Sequence, residues 1–382
     1  MKKIPYGKQH ITDEDIDVVV QSLKEDFITQ GPKVAEFEEA FSKYIGCKYS
    51  VAVANGTAAL HLAAMALGTD TSSNVICSPI TFAASSNCIL YCGGKVTFAD
   101  IDPRTAALDI VSVRALLEAS PKGTYTGVVP VDFAGYPVNM EAYRELADEY
   151  GLWVIEDACH APGGYFTDSK GVKQHCGNGN FADLAIFSFH PVKHIACGEG
   201  GMITTNNKEL YDKLLMLRTH GITRRPDLLQ ENHGGWYYEM IDLGYNYRLT
   251  DFQSALGLSQ LSRASGGLDR RRGLAAQYDK AFEGTSIRPI AGGHVGHGYH
   301  LYVVLVDDRK GLYDFLREQG IFAQVHYIPV HTLPYYQRLG HKKGSCPQAE
   351  AYYEKCLSLP MYPTLTDQEQ GYVIDKVKAF CK

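Results

Sequence analysis

Four short stretches carry residues whose types and surroundings suit carbonyl and anion chemistry. In "SFHPVKHIACGEGGMITT" (188–205) a single lysine, Lys193, follows an apolar run that Pro191 stops and precedes a glycine-rich turn. Proline fixes the local backbone, and "GEGG" permits positive φ or close approach. A nearby phosphate or pyridinium lowers such an amine's pKa enough for Schiff-base chemistry. In "WVIEDACHA", Glu156 and Asp157 end an apolar strand, where a carboxylate has to be hydrogen-bonded or paired because an isolated buried charge is costly. "VAVANGTAAL" sets Asn55-Gly56-Thr57 between a strand and a helix, leaving backbone N–H groups and the Thr57 hydroxyl for a phosphate. "SPITF" places Phe82 just after a strand, where its ring can stack on a flat ligand.

Each stretch has a plainer reading: a surface lysine, a helix cap or buried ion pair, an ordinary Gly-Thr helix start, a core aromatic. Together they match one ligand. Pyridoxal phosphate needs a lysine for its Schiff base, a carboxylate that keeps the pyridine nitrogen protonated, an aromatic face, and phosphate donors at a helix start. The protonated ring is the strong electron sink, so the carboxylate matters most.

The elements that must position these residues follow an α/β rhythm. "ITDEDIDVVVQSLKED" predicts a helix with Thr12 as N-cap, and "GPKVAEFEEAFSKYIG" one that starts at Pro32 and ends at Gly46. Short apolar strands ("YSVAVA", "NVICSP", "KVTFADID", "TGVVPVDF", "LWVIEDA", "FADLAIFSF", "GGMITT") then alternate with helices such as "GTAALHLAAMALG" and "NMEAYRELADEY". That pattern predicts a mostly parallel central sheet flanked by helices, with ligands at the carboxyl ends of its strands. Residues 160–180 read as loop. From Asp251 the character changes to a long helix weakened or kinked at Gly266-Gly267, the strands "LYVVLV" and "IFAQVHYI", and a helical tail. The expected organisation is a large α/β cofactor-binding domain over 1–250 and a smaller α+β domain over 251–382.

Composition narrows the class. The chain has 382 residues, 45% hydrophobic and 21% charged, with a net charge of -6 and no like-charge block larger than "DRRR". This argues against nucleic-acid or membrane-surface binding while leaving room for a basic pocket. "MKKIPYGKQH" lacks the apolar run of a signal peptide, so a cytoplasmic location is expected. Ten scattered cysteines without a C-x-x-C pair read as reduced, buried thiols. "GGHVGHGYH" spaces His294, His297 and His300 three apart, but the glycines disfavour a helix face and no acidic residue is adjacent, so no metal site is expected.

Read as a whole, the motifs "ITQGPKVAEFEEAFSKYIG", "VAVANGTAALHLA", "VIEDACHA", "SFHPVKHIACGEGGMI", "GYNYRLTDFQSALG" and "VHYIPVHTLPYY" resemble the fold-type I pyridoxal-phosphate aminotransferases. Within them the chain resembles the sugar-nucleotide aminotransferases of the DegT/DnrJ type. "CSPITFAASSNCILYCGGKVTFADID" and "VPVDFAGYP" are most similar to the branch acting in pseudaminic acid biosynthesis. The resemblance implies Lys193 as Schiff-base lysine and proton shuttle, Asp157 against the pyridine nitrogen and Phe82 stacked on the ring. Thr57, the backbone of Ala58 and Ser188 would hold the phosphate. It further implies a homodimer in which Asn246, with Arg248 beside it, reaches the partner's phosphate. His160 stands where many members have a glutamine facing the ring hydroxyl. His326 and Tyr327 would face the sugar nucleotide, and Arg224 and Arg225 are candidates for its pyrophosphate. The implied reaction takes an amino group from L-glutamate and delivers it to C4 of a UDP-linked 4-keto-6-deoxy sugar. Perosamine, viosamine and aminoarabinose synthases share these motifs.

Two other readings fare less well. Sugar 3-dehydratases on this scaffold carry histidine where Lys193 stands. A cofactor-free sugar-binding protein would be expected to have lost Lys193 or Asp157, and both are present.

Overall fold

Apolar runs buried on both faces build the central sheet. In the computed structural model, which describes residues 3–381, seven strands form it: β1 (Tyr49–Val53), β2 (Asn74–Cys77), β3 (Lys95–Phe98), β4 (Gly127–Val129), β5 (Trp153–Asp157), β6 (Leu184–Ser188) and β7 (Gly201–Thr205). Their order is β1-β7-β6-β5-β4-β2-β3, and only β7 runs against the rest. Val51, Ile76, Val154, Ile155 and Ile186 have no exposed surface, as expected when helices cover both faces. Helix Gly56–Ala66 is itself apolar almost all round because it lies between the sheet and helix Ala84–Tyr91.

Reversal of β7 organises the functional edge. The carboxyl ends of the parallel strands lie along one side of the sheet, and β7 starts there, with Gly201 opposite both Ser188 and Val53. The connection from β6 to β7 therefore turns back over that edge. It is pinned where Phe189 N–H donates to the Gly200 carbonyl (2.8 Å) and Cys197 N–H to the Phe189 carbonyl (2.9 Å). A Cβ on Gly201 would lie 2.5 Å from the Asn55 carbonyl oxygen, so only glycine lets this backbone pass the start of helix Gly56–Ala66.

Thr12 caps helix Asp13–Ser22 with a full capping box, and Pro32 opens helix Pro32–Ile45, which ends at the left-handed Gly46. The C-terminal part holds a three-stranded antiparallel sheet of Arg288–Pro289, Tyr302–Leu305 and Cys356–Leu359. It packs with helices Arg309–Glu318 and Asp367–Phe380 around Tyr278, Leu312, Leu316 and Val373. The two-residue strand Ile4–Pro5 pairs in parallel with Ile321–Phe322, tying the N-terminal segment to this part.

Several local expectations differ from the structure. The long helix breaks at Arg263, between Asp251–Ser262 and Ala264–Phe282, and not at Gly266-Gly267, which sit inside the second helix's first turns. Only Ile321–Phe322 of "IFAQVHYI" is strand, since the following residues leave the sheet to line a cavity. The tail is interrupted by strand Cys356–Leu359, the loop-like 160–180 contains the hairpin Tyr165–Thr167 with Lys173–His175, and helix Ile110–Glu118 was not anticipated. No helix among the described residues is long and apolar enough to cross a membrane.

Candidate active site

A cavity of about 450 Å³ opens at the carboxyl edge of the sheet and gathers Thr57, Phe82, Asp157, His160, Ser188, Lys193, His326 and Tyr327. Four strands, through their ends or the turns beyond them, supply most of its wall. Asp157 comes from β5 and Ser188 from β6. Lys193 comes from the pinned turn that follows, Thr57 from the turn after β1, and Phe82 from the loop after β2.

Strand alternation separates the two carboxylates that end β5. Asp157 faces the cavity, 5% exposed, and both of its oxygens are engaged: Oδ2 accepts from Ser85 Oγ at 2.6 Å and Oδ1 from Cys159 N–H at 3.2 Å. The Thr81 hydroxyl supports Ser85 in turn, 2.7 Å away. Glu156 points the other way, where its Oε1 accepts from Gly177 N–H at 2.9 Å beside Asp132 and Cys176. Burial pushes the carboxyls of Asp132 and Glu156 up, Asp132 to about 7, so this pair holds a proton.

Lys193 sits half-buried, its N–H bonded to the His190 carbonyl at 2.8 Å. Burial pulls its amine below the ordinary lysine value, and Cys159 and Asp157 oppose that shift. His160 has a fixed protonation state. Its Nδ1 accepts from Ala134 N–H at 3.2 Å, so the proton lies on Nε2, 3.3 Å from the Tyr327 hydroxyl. Burial and then the Lys193 charge hold the imidazole well below its usual value, so it is neutral. Ala134 reaches it from a left-handed conformation with φ 59°.

Helix Gly56–Ala66 presents its N-terminus to the same cavity. Asn55 caps it, Oδ1 accepting from Ala58 N–H at 2.8 Å. That bond occupies the Ala58 N–H, and Ala58 is not among the cavity-lining residues, which leaves the N–H groups of Gly56 and Thr57 at the helix start. A Cβ at Gly56 would lie 3.0 Å from Ser188 Cβ, so the helix start and Ser188 are pressed together. Phe82, 63% exposed at the rim, is no core aromatic. His326 Nδ1 bonds Ser358 Oγ at 2.8 Å, and burial, then Lys193, pushes its imidazole down to about 3.

Besides Ala58, four candidates lie outside the cavity in the single chain. Asn246 is exposed and bridged through its backbone to Thr219, and Arg248 is half-buried. Arg225 is committed to Asp212 (2.9 Å) and Asp227 (2.7 Å), while Arg224 lies over the Tyr238 ring at 5.8 Å. Tyr6, Ser85, Cys159, Glu199 and His300 line the cavity unforeseen. Ser85 lies within "CSPITFAASSN", and Glu199 sits among the glycines of "GEGG", whose turn character masks it. The histidines of "GGHVGHGYH" find separate local partners. His294 Nδ1 accepts from Gly296 N–H and His297 Nδ1 from Tyr299 N–H, while His300 lies against His160 with ring centres 4.4 Å apart.

The donor set fits pyridoxal phosphate: one amine, one ordered carboxylate, a neutral N–H donor in His160, and an anion-ready helix start with two hydroxyls, all on one cavity.

Comparisons with known proteins agree with a pyridoxal-phosphate aminotransferase. Residues 9–378 match the DegT/DnrJ/EryC1/StrS aminotransferase family. The chain is 38% identical to the spore coat polysaccharide biosynthesis protein SpsC of Bacillus subtilis, over 99% of this chain and 97% of that one. It is 37% identical to the UDP-4-amino-4,6-dideoxy-N-acetyl-beta-L-altrosamine transaminase of Campylobacter jejuni, over 97% and 96%. Among solved structures, Helicobacter pylori PseC, an aminotransferase involved in pseudaminic acid biosynthesis, superposes with a TM-score of 0.88 at 29% identity, covering 100% of this chain and 99% of that one. The pyridoxal-phosphate form of the sugar aminotransferase Spr1654 of Streptococcus pneumoniae gives 0.88 at 29%, covering 99% and 98%.

Two outcomes are expected. Ser85→Ala removes the hydroxyl that orders Asp157 and weakens cofactor affinity about tenfold, read by fluorescence titration; an unchanged affinity would show that Asp157 needs no such support. The second concerns His160, His194, His297, His300 and His326, all held below the ordinary 6.5 by burial. The unfolded chain binds protons at these sites first, so stability present above pH 6.5 is lost as pH falls. The limit is about 1.4 kcal/mol per pH unit for each imidazole. Asp132 and Glu156 shift the opposite way and offset part of this. Melting curves from pH 7 to 5 should show a steady fall in Tm, and a flat profile would contradict the neutral cluster.

Proposed function

We propose, because the chain belongs to the DegT/DnrJ/EryC1/StrS aminotransferase family, that this pyridoxal-phosphate-dependent sugar aminotransferase moves an amino group from L-glutamate to C4 of a UDP-linked 4-keto-6-deoxy-N-acetylhexosamine. The product is then UDP-4-amino-4,6-dideoxy-N-acetyl-beta-L-altrosamine. One observation carries the reaction type: Lys193 and Asp157 meet on one cavity with an anion-ready helix start. The acceptor rests on the relatives named for that transamination and for pseudaminic acid biosynthesis. The 38% identity to SpsC keeps another sugar-nucleotide 4-amination as the second reading.

When bound, pyridoxal phosphate supplies the electron sink that makes the substrate carbon acidic. The chain does the rest. Lys193 would hold the cofactor through Nζ and, as a free amine, would take and give a proton at that atom. Its lowered basicity leaves more of the neutral amine at working pH than an exposed lysine would have. Asp157, held by Ser85 and Cys159, is a fixed negative charge for the protonated ring nitrogen. Gly56, Thr57 and Ser188 bind the phosphate, with the Ala58 N–H kept for the cap. His160 Nε2–H would donate to the ring hydroxyl, standing where many family members have glutamine. Phe82 would cover one face of the ring, and Tyr327 with His326 would form the wall toward the sugar.

A second copy of the chain completes the site in this reading. Asn246 and Arg248 follow the segment bearing exposed Trp236, Tyr238, Met240 and Leu243, an apolar surface suited to burial between subunits. From there Asn246 supplies a phosphate contact, and Arg224 approaches the pyrophosphate more readily than the doubly paired Arg225.

Lys193→Ala should bind the cofactor without covalent attachment and lose at least about a thousandfold in turnover; near wild-type turnover would remove Lys193 from its role. Lys193→Ala and Asn246→Ala proteins, each inactive, should regain roughly a quarter of wild-type activity on subunit mixing, because half of the sites in a mixed dimer are intact. No recovery from a dimer shown to exchange would place both residues in the same subunit's site.

A further inference from the structure

Adjoining the cofactor cavity, and sharing Lys193 with it, lies a second pocket of about 310 Å³ lined by Lys8, His10, Arg263, Gly266, Arg270 and Arg271 among others. We infer that it is a binding site for a small oxyanion of the phosphate class, built on the N-terminus of helix Ala264–Phe282. That 19-residue helix has no side-chain cap, so the N–H groups of its first turn have no partner within the helix. Arg263, Gly266, Gly267, Arg270 and Arg271 recur at the three- and four-residue spacing that shares one face. No heavy atom lies within 4 Å of the position a Gly266 Cβ would take, so the glycine leaves the approach to these N–H groups open.

A second, independent observation points to an anionic ligand. Arg271 is only 1% exposed, yet no carboxylate among the described residues pairs with it. Its Nη1 donates to the carbonyls of Tyr299, His300 and Met361, and its buried Nε has no partner. A buried guanidinium compensated only by carbonyl dipoles leaves a positive potential at the pocket floor. The charges around it do not cancel this. Arg263 pairs with Asp15 and Arg270 with Asp367 at 2.7 Å, while Lys8 has no ion-pair partner among the described residues. No acidic side chain lines the pocket. An oxyanion seated here would accept from the helix N–H groups and neutralise Lys8 and Arg271, next to the turn that carries Lys193.

Inorganic phosphate titrated into the pyridoxal-phosphate-loaded enzyme at constant ionic strength tests this, with the melting temperature as readout and sodium chloride as control. The cofactor then fills its own phosphate subsite. Wild-type protein should show a saturable rise in Tm that chloride does not reproduce. Lys8→Ala should weaken the apparent affinity about tenfold. Gly266→Leu, which fills open space and favours helix, should abolish the rise. No saturable rise in the wild type overturns the site. So does a rise of equal affinity in both folded variants, which would place the phosphate elsewhere.

Discussion

Everything at the active edge depends on holding one amine inside the protein beside one carboxylate without letting them collapse into a simple buried ion pair. Burial works against the charge of Lys193, while Asp157 and Cys159 work for it. A directly paired lysine would be locked as a cation, because separating a buried pair is expensive. Asp157 instead spends its oxygens on Ser85 and on the Cys159 backbone. The carboxylate is thereby satisfied and oriented, and the lysine keeps a basicity low enough to take and give a proton.

The fold exists to make that separation reproducible. Asp157 ends a parallel strand, and Lys193 sits in a turn whose geometry is dictated by the one reversed strand. Because β7 begins where β6 ends, the turn must double back over the edge, and Gly201 allows it to pass within contact distance of Asn55. The same close approach presses Ser188 against the start of helix Gly56–Ala66. Phosphate donors, lysine and carboxylate are thus fixed by a few backbone contacts. Histidines around them stay neutral because there is no room to solvate their charge, and neutrality gives His160 a defined N–H for the cavity.

Much of this was legible in the sequence because strand ends announce themselves. The alternation of apolar runs with helices identified all seven strands of the sheet. The residues at or just past the ends of four of those runs are Thr57, Phe82, Asp157, Ser188 and Lys193. What stayed hidden depended on packing between distant segments. Ser85 and Tyr6 carry no pattern that marks them, and only the folded chain brings Ser85 to Asp157. The protonation of His160 is decided by the Ala134 N–H, a backbone group that no motif exposes. The helix breaks at Arg263 although Gly266-Gly267 look like a hinge, because in a first helical turn two glycines cost little and leave room. "IFAQVHYI" has strand composition, yet its second half is needed as cavity wall and leaves the sheet. Asn246, Arg224, Arg225 and Arg248 came from family resemblance, and the single chain leaves them outside the cavity.

The most direct measurement of the central claim is the visible absorption of the pyridoxal-phosphate-loaded enzyme, followed through two additions. L-Glutamate should bleach the yellow band, with 2-oxoglutarate released in equal amount. A UDP-linked 4-keto-6-deoxy-N-acetylhexosamine should then restore it, and GDP- and dTDP-linked 4-keto sugars should not. A band that glutamate leaves unchanged, or that every nucleotide sugar restores equally well, would contradict the account.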